Sequence, residues 1–255
     1  MSIFSVVLTV VFLMTSAQAG NEIWSEGTAR TLPQGRREVG IFSPWRYGKT
    51  ERVEIATHRI SNLLIPNVRV KISWPRTNGW LLASRHSLLY PTPLLRTITR
   101  EGTGGIISPE FDIPPILTTR QEILITREFG RRSLLTAKAG LALALVMGEL
   151  DSRTSIDLPL VFPRMAVYYN KWGINLGVDL LRKMNRKLYY LLDVDLHLFP
   201  GAEETLAVEH KGMIIWRKHE LFSIMAGYKL SYGEYLFGTQ AHLLPVIDLV
   251  WAKQR

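Results

Sequence analysis

Apolar and polar residues alternate with a period of two through most of this chain. The run Lys187–Leu198 is the clearest case. Leu188, Tyr190, Leu192, Val194, Leu196 and Leu198 hold the even positions, and Asp193, Asp195 and His197 fall on odd ones. Successive side chains of a strand point to opposite faces, so this pattern predicts a strand with one oily and one wet side. A Pro200-Gly201 turn follows, then Thr205–Trp216, a Lys218-His219 turn and Phe222–Tyr232. Together these runs make an antiparallel meander.

The same unit recurs in both directions along the chain. Arg37–Ser43 is a first strand and Tyr47–Thr50 a turn. Glu51–His58 places Val53, Ile55 and Thr57 opposite Arg52, Glu54 and His58. Asn67–Trp74 alternates Val68, Val70, Ile72 and Trp74 with Asn67, Arg69, Lys71 and Ser73. Trp80–Tyr90 is a strand of blurred alternation, and Pro91–Pro115 is irregular and rich in glycine and proline. Leu117–Glu128 and Ser133–Val146 are strands. The second is rich in Ala and Leu, which favour helix, but its period of two and Gly140 select strand. A charged loop spans 149–158. Leu160–Asn170, Ile174–Leu181 and His242–Trp251 complete the set.

About twelve such strands, several near the 9–11 residues a tilted membrane strand needs, predict an all-β fold: an antiparallel up-and-down transmembrane β-barrel. With both termini in the periplasm, this count puts Pro91–Pro115 on the periplasmic side, where short turns are expected. Either a strand near residues 22–33 goes uncounted or that segment folds inward.

Residues 2–19 read as an export signal. Val6, Val7, Leu8, Val10, Val11, Phe12 and Leu13 form its apolar core, and Ala17-Gln18-Ala19 gives a small-x-small cleavage site before Gly20. Residues 1–5 carry no Lys or Arg, which departs from the usual signal. The expected division is a signal at 1–19, a lead segment at 20–36 and the barrel at 37–255. The chain has no cysteine, which rules out disulfides, thiolate metal sites and a lipidated start. After residue 19 no apolar run reaches helical spanning length.

Two phrases carry a resemblance. Arg46–Ile55, "RYGKTERVEI", resembles a tyrosine-glycine-x-threonine-acid-arginine turn of bacterial outer-membrane barrels, with Glu51 where Asp is commoner. Thr28–Phe42, "TARTLPQGRREVGIF", is similar to the mature start of such proteins, including uncharacterised groups. The resemblance implies a porin-like barrel in the outer membrane of a Gram-negative envelope and brings no catalytic residues. The aromatic Trp251 near the end of the last strand resembles the signal read by barrel-insertion machinery, although Ala252–Arg255 follow it here.

In a membrane barrel the apolar faces meet lipid and the charged faces line the lumen. Trp74, Trp80, Tyr90, Tyr168, Tyr169, Trp172, Trp216, Tyr228, Tyr232 and Trp251 near strand ends would form interfacial girdles. The formal net charge is +9. The expected lumen-lining cations are Arg52, Arg69, Lys71, Arg120, Lys138, Arg164, Lys211 and Lys229. Facing them are Glu54, Glu122, Asp179, Asp193, Asp195, Glu209 and Asp248, with His197 beside them. This near balance points to paired ions. The Asp193/Asp195/His197 row, with Glu209, Lys211 and Lys229, either coordinates a cation or polarises a solute, or is a salt-bridged wall that stiffens the barrel. The positive excess lies in turns. Arg182, Lys183, Arg186 and Lys187 are expected to pair with phosphates of outer-membrane lipid and lipopolysaccharide.

Other chemistry is sparse. Ser84 and His86 share one strand face, a weak candidate catalytic pair that loosely resembles, in reverse order, the histidine-x-serine of outer-membrane phospholipases. Neither a third member nor an oxyanion hole is identifiable in the sequence. The glycine-rich Arg100–Gly105 lacks a following GKS or GKT. The six histidines show no metal spacing, no cofactor is called for, and export with scattered charge argues against nucleic acid despite a pI near 9.8. The reading is a channel for small polar solutes or a structural envelope protein. The alternatives are an outer-membrane lipid-acting hydrolase and a secreted soluble β protein.

Overall fold

A computed structural model of the chain describes residues 25–102, 107–130, 132–156, 161–236 and 238–254. The export signal and its cleavage site lie outside the described residues. Among these, twelve strands form one closed barrel: β1 Arg37–Gly40, β2 Trp45–Gly48, β3 Val53–Thr57, β4 Asn67–Ser73, β5 Trp80–Leu89, β6 Ile116–Phe129, β7 Ser133–Val146, β8 Trp172–Lys183, β9 Leu188–Leu198, β10 Leu206–His219, β11 Phe222–Tyr235 and β12 Gly238–Lys253. Each pairs antiparallel with its chain neighbour, and β1 closes onto β12 through Arg37↔Lys253 and Gly40↔Val250. Two α-helices interrupt the meander: α1 Thr92–Ile98 and α2 Phe162–Asn170. No described helix is long and apolar enough to cross a membrane.

The polarity of the molecule is inverted relative to a soluble sandwich. Glu54 is 1% exposed, while Ile123 is 58% and Leu243 65% exposed. Val68, Leu143, Val178, Val194, Ile214 and Ile247 also stand outward. A water-soluble fold would bury these side chains, at roughly 1.5–3 kcal/mol each, so their exposure marks a wall built for an apolar surround.

The count of twelve is reached by a different set of strands from the one expected. Tyr47 and Gly48, expected to open a turn at Tyr47–Thr50, instead end strand β2, Trp45–Gly48, and the turn itself is Lys49–Arg52. Leu160–Asn170, expected as a strand, is helix α2 over Phe162–Asn170, and Leu160 lies outside the described residues. The uncounted strand is therefore at 45–48, and the described residues 25–33 form none. Adding it moves Pro91–Pro115 to the end opposite the termini, together with 58–66, 147–171 and 199–205. The terminus end keeps only short turns, among them 49–52, 184–187 and 220–221.

The wall is uneven in height. Strands β1–β4 have 4, 4, 5 and 7 residues, whereas β6–β12 have 11 to 16. Residues 238–249 of β12 rise above their pairing with β1, which covers 250–253. Pro245, which lacks a backbone donor, sits on this free stretch, a common device for blunting an edge.

Candidate functional site

The terminus end of the lumen is filled from inside. Residues 25–33 run across it rather than forming a strand. Ala29 N–H donates to Thr126 Oγ1 at 2.8 Å and Leu32 N–H to Glu54 Oε2 at 2.9 Å. Lys71 Nζ donates to the Ser25 carbonyl at 2.6 Å, and Arg46 to Ser25 Oγ at 2.7 Å. Gly27, at φ +70°, lies so close to β8 that a Cβ would stand 2.5 Å from Asp179 Oδ2. At Gly48 a Cβ would stand 2.1 Å from the Pro33 carbonyl oxygen, so glycine lets the segment pass β2. Leu32 and Ala29 are fully buried. Beside this stopper, Leu134, Leu181, Tyr189, Leu191, Met213 and Ile215 form an apolar cluster on the inner wall.

Helix α2 enters the loop end. Pro163 starts it, and Lys171, at φ 65°, ends it in the left-handed cap. Phe162, Met165, Ala166, Val167 and Tyr168 are buried. Phe162 meets Tyr235 edge to face, with centroids 5.7 Å apart. Tyr168 and Met165 pack with Leu95 of α1 and with Ile113 and Ile116.

Between stopper and helix lies a cavity of about 620 Å³. It extends to Phe42, Ser43 and Pro44 of the β1–β2 turn and to His58 above β3, the low side of the wall. Its ions are arranged as two walls. On one, Arg85 grips Glu122 in a two-bond fork, 2.7 and 2.9 Å, and Arg120 Nε donates to Asn175 Oδ1 at 3.1 Å. On the other, buried Lys138 stands 2.7 Å from each of Asp179, Asp193 and Asp195, and Lys211 reaches Asp193 at 3.0 Å. Glu209 joins the walls through Arg164 of α2 at 2.9 Å, Lys229 at 2.7 Å and His197 at 3.7 Å.

The structure places Glu54, Lys71, Glu122, Lys138, Asp179, His197, Glu209 and Asp248 in buried lumenal positions, and Arg69, Arg120, Asp193, Asp195, Lys211 and Lys229 partly buried beside them. Arg52 departs from the expectation: it is exposed in the β2–β3 turn. Arg164 is inside the barrel but on a helix. Tyr168 and Tyr169 also belong to α2, so they form no girdle. Asp248 serves the backbone, accepting from the N–H groups of Ile41, Phe42 and Ser43 at 2.8–3.0 Å. Arg85, Arg46, Glu38 and Glu26 are lumenal ions absent from the expected set. Arg46 binds Glu38 at 2.5 Å and Glu26 at 3.1 Å. Arg85 was legible in principle, because it shares the parity of buried Ala83; Glu26 was not, since no periodic strand contains it.

The basic turn Arg182, Lys183, Arg186 and Lys187 lies at the terminus end. Ser84 and His86 face outward on β5, not into the lumen, with Ser84 paired across the sheet to exposed Ile72 and Ile123.

No known protein family matches the chain, and no curated protein does. Among solved structures it is similar to the outer membrane channel DcaP of Acinetobacter baumannii, at 8% identity and a TM-score of 0.39, over 84% of this chain and 61% of that one. It is also similar to the CymD monoaromatic hydrocarbon channel, at 7% identity and a TM-score of 0.38, over 86% of this chain and 51% of that one. The chain thus spans about three fifths and one half of the lengths of these two channels.

Proposed function

We propose that this chain is an outer-membrane barrel that admits small polar solutes from its loop end into a charged lumen, with residues 25–33 as the stopper below. The single observation that carries this reading is the ion-lined cavity of about 620 Å³ inside a closed wall whose outer face is apolar. A cavity of that volume is in the range of a small ligand site. Paired walls of opposite charge favour solutes that carry both signs or strong dipoles over simple ions. With the termini in the periplasm, the long loops face outward and the basic turn at Arg182–Lys187 faces the periplasmic leaflet. Its phosphate partners are then phospholipid head groups rather than lipopolysaccharide. The end of β12 at Trp251 is the segment offered to the insertion machinery.

Planar-bilayer recording tests the lumen. The intact chain is expected to conduct weakly, and a variant lacking residues 25–33 to conduct severalfold more while keeping heat-modifiable gel migration. A deletion variant that stays folded and conducts no better than the intact chain would overturn the reading of those residues as a stopper. Absence of any conductance in both would remove the channel.

A further inference from the structure

On the outer wall a polar chain crosses β5 and β6 among exposed apolar side chains. Ser84 Oγ and His86 Nε2 are 3.0 Å apart on β5. His86 Nδ1 contacts Gln121 Oε1 on β6. Gln121 Nε2 donates to Thr119 Oγ1 at 2.6 Å, and Thr119 Oγ1 donates to the Ser87 carbonyl at 3.0 Å. These bonds have one consistent direction. The Ser87 carbonyl can only accept, so Thr119 donates to it and accepts from the Gln121 amide. That turns the Gln121 oxygen toward Nδ1–H of His86, which leaves Nε2 as the acceptor of the Ser84 hydroxyl proton. A serine with a correctly poised imidazole, itself oriented by a third group, is the geometry of an activated nucleophile. Trp74 supplies a fourth part: its indole N–H lies 3.3 Å from Ser84 Oγ. It can donate to an oxyanion forming beside that oxygen.

Location narrows the substrate. Side chains around the group, including Ile72, Leu88 and Ile123, are exposed and apolar. Polar groups facing lipid are costly and mark function. A neutral amide in the third position is what such a surround tolerates, where a carboxylate would cost far more. Ser84 is four residues from Trp80 at the terminus-end rim. At about 3.3 Å per residue and a tilt near 45°, that is roughly 9 Å into the wall, near the level of lipid ester carbonyls. Below it on the same outward face, Arg127 stacks over Trp80 at 4.8 Å, a cation at phosphate height.

We propose that Ser84, His86, Gln121 and Trp74 form a lipid-facing acyl-ester hydrolase site for glycerophospholipids of the terminus-side leaflet. This rests on the reading of the outer wall as membrane-embedded, and it is independent of the lumen. Ser84 Oγ bonds to the ester carbonyl carbon as its proton passes to His86 Nε2. The tetrahedral adduct, its oxyanion held by Trp74, collapses with cleavage of the bond to the glycerol oxygen. His86 returns the proton to that oxygen, and a lysophospholipid leaves. Water then attacks the acyl-serine, gives a proton to His86, and fatty acid departs as Ser84 regains its hydrogen. Gln121 is a positioning residue that fixes the imidazole tautomer, and Arg127 holds the phosphate.

The test uses the full chain refolded into vesicles of phosphatidylethanolamine, phosphatidylglycerol and dioleoylglycerol, with insertion checked by heat-modifiable migration. Fatty-acid release from phospholipid is expected, and a fall of about 100-fold or more in Ser84→Ala and His86→Asn. Arg127→Ala should raise KM for phospholipid but not for diacylglycerol. A fluorophosphonate probe should label the wild type at Ser84, a readout that stands even if a variant misfolds. An inserted barrel that releases no fatty acid, or releases it equally as Ser84→Ala, overturns the proposal. A chain that does not enter vesicles removes the membrane reading and this site with it.

Discussion

Lys138 shows how much a single lumenal residue can carry. Its side chain is 4% exposed and its ammonium faces three carboxylates at 2.7 Å. Replacing it with Met removes the cation shared by all three acids and leaves only Lys211, on Asp193, at a cost of about 3–5 kcal/mol. A lower urea midpoint in detergent is the expected outcome, and adding Asp179→Asn should restore part of the loss. Asp248 illustrates the opposite lesson about position. Its place on the inward face of β12 was legible from parity, but its task was not. It collects three backbone N–H groups of the β1–β2 turn, whose residues are more than 200 positions away in sequence. Asp248→Ala is expected to destabilise by about 2–4 kcal/mol, because hydrogen bonds to a charged acceptor are the strong kind. Asp248→Asn should lose less, since one amide oxygen still accepts. Thermal unfolding followed by tryptophan fluorescence distinguishes the two.

Among elements, the strands were readable, short β1 and β3 included, except for β2, and the enclosed helix α2 was not. In β7 the exposed Leu141, Leu143 and Leu145 alternate with Gly140, Ala142 and Ala144 because one face meets the apolar surround and the other a crowded lumen. Strand β2 has four residues, too few to display a period, and Tyr47-Gly48 reads like a turn. Helix α2 gives no clear helical stripe in the sequence because Phe162, Pro163, Met165, Ala166, Val167 and Tyr168 bury it on nearly every side. Pro163 was the available warning, since proline belongs at a helix start and not inside a paired strand. Breaking α2 with Ala166→Pro costs roughly 3 kcal/mol of helix. The strands should survive it, so heat-modifiable migration persists while bilayer conductance rises, because α2 occupies the loop end of the lumen. Unchanged conductance would mean that the helix does not limit passage.

The whole molecule is polarised along its axis. Lys49, Arg52, Arg76, Arg132, Arg186, Lys187 and Lys218 gather at the terminus end, while the loop end mixes Glu101, Glu110, Glu149, Asp151, Glu203 and Glu204 with Arg59, Arg96, Arg100, Arg153 and Lys171. A basic rim beside an anionic leaflet gains about 1 kcal/mol per cation. Exchanging Arg182, Lys183, Arg186 and Lys187 for Gln should therefore weaken binding of phosphatidylglycerol vesicles and leave lipopolysaccharide binding as it was. Lost lipopolysaccharide binding would reverse the assigned orientation.

Alternation along the chain was enough to establish a many-stranded antiparallel β fold and which residues share a face, because the strand repeat of two is local and survives without knowledge of neighbours. Only the tertiary structure decided that the apolar face turns outward, since a sandwich and a membrane barrel obey the same alternation. Tertiary packing alone also drew residues 25–33 across the lumen and brought Gln121 of β6 against His86 of β5. Those contacts join distant segments through closure and register, and no local period records them.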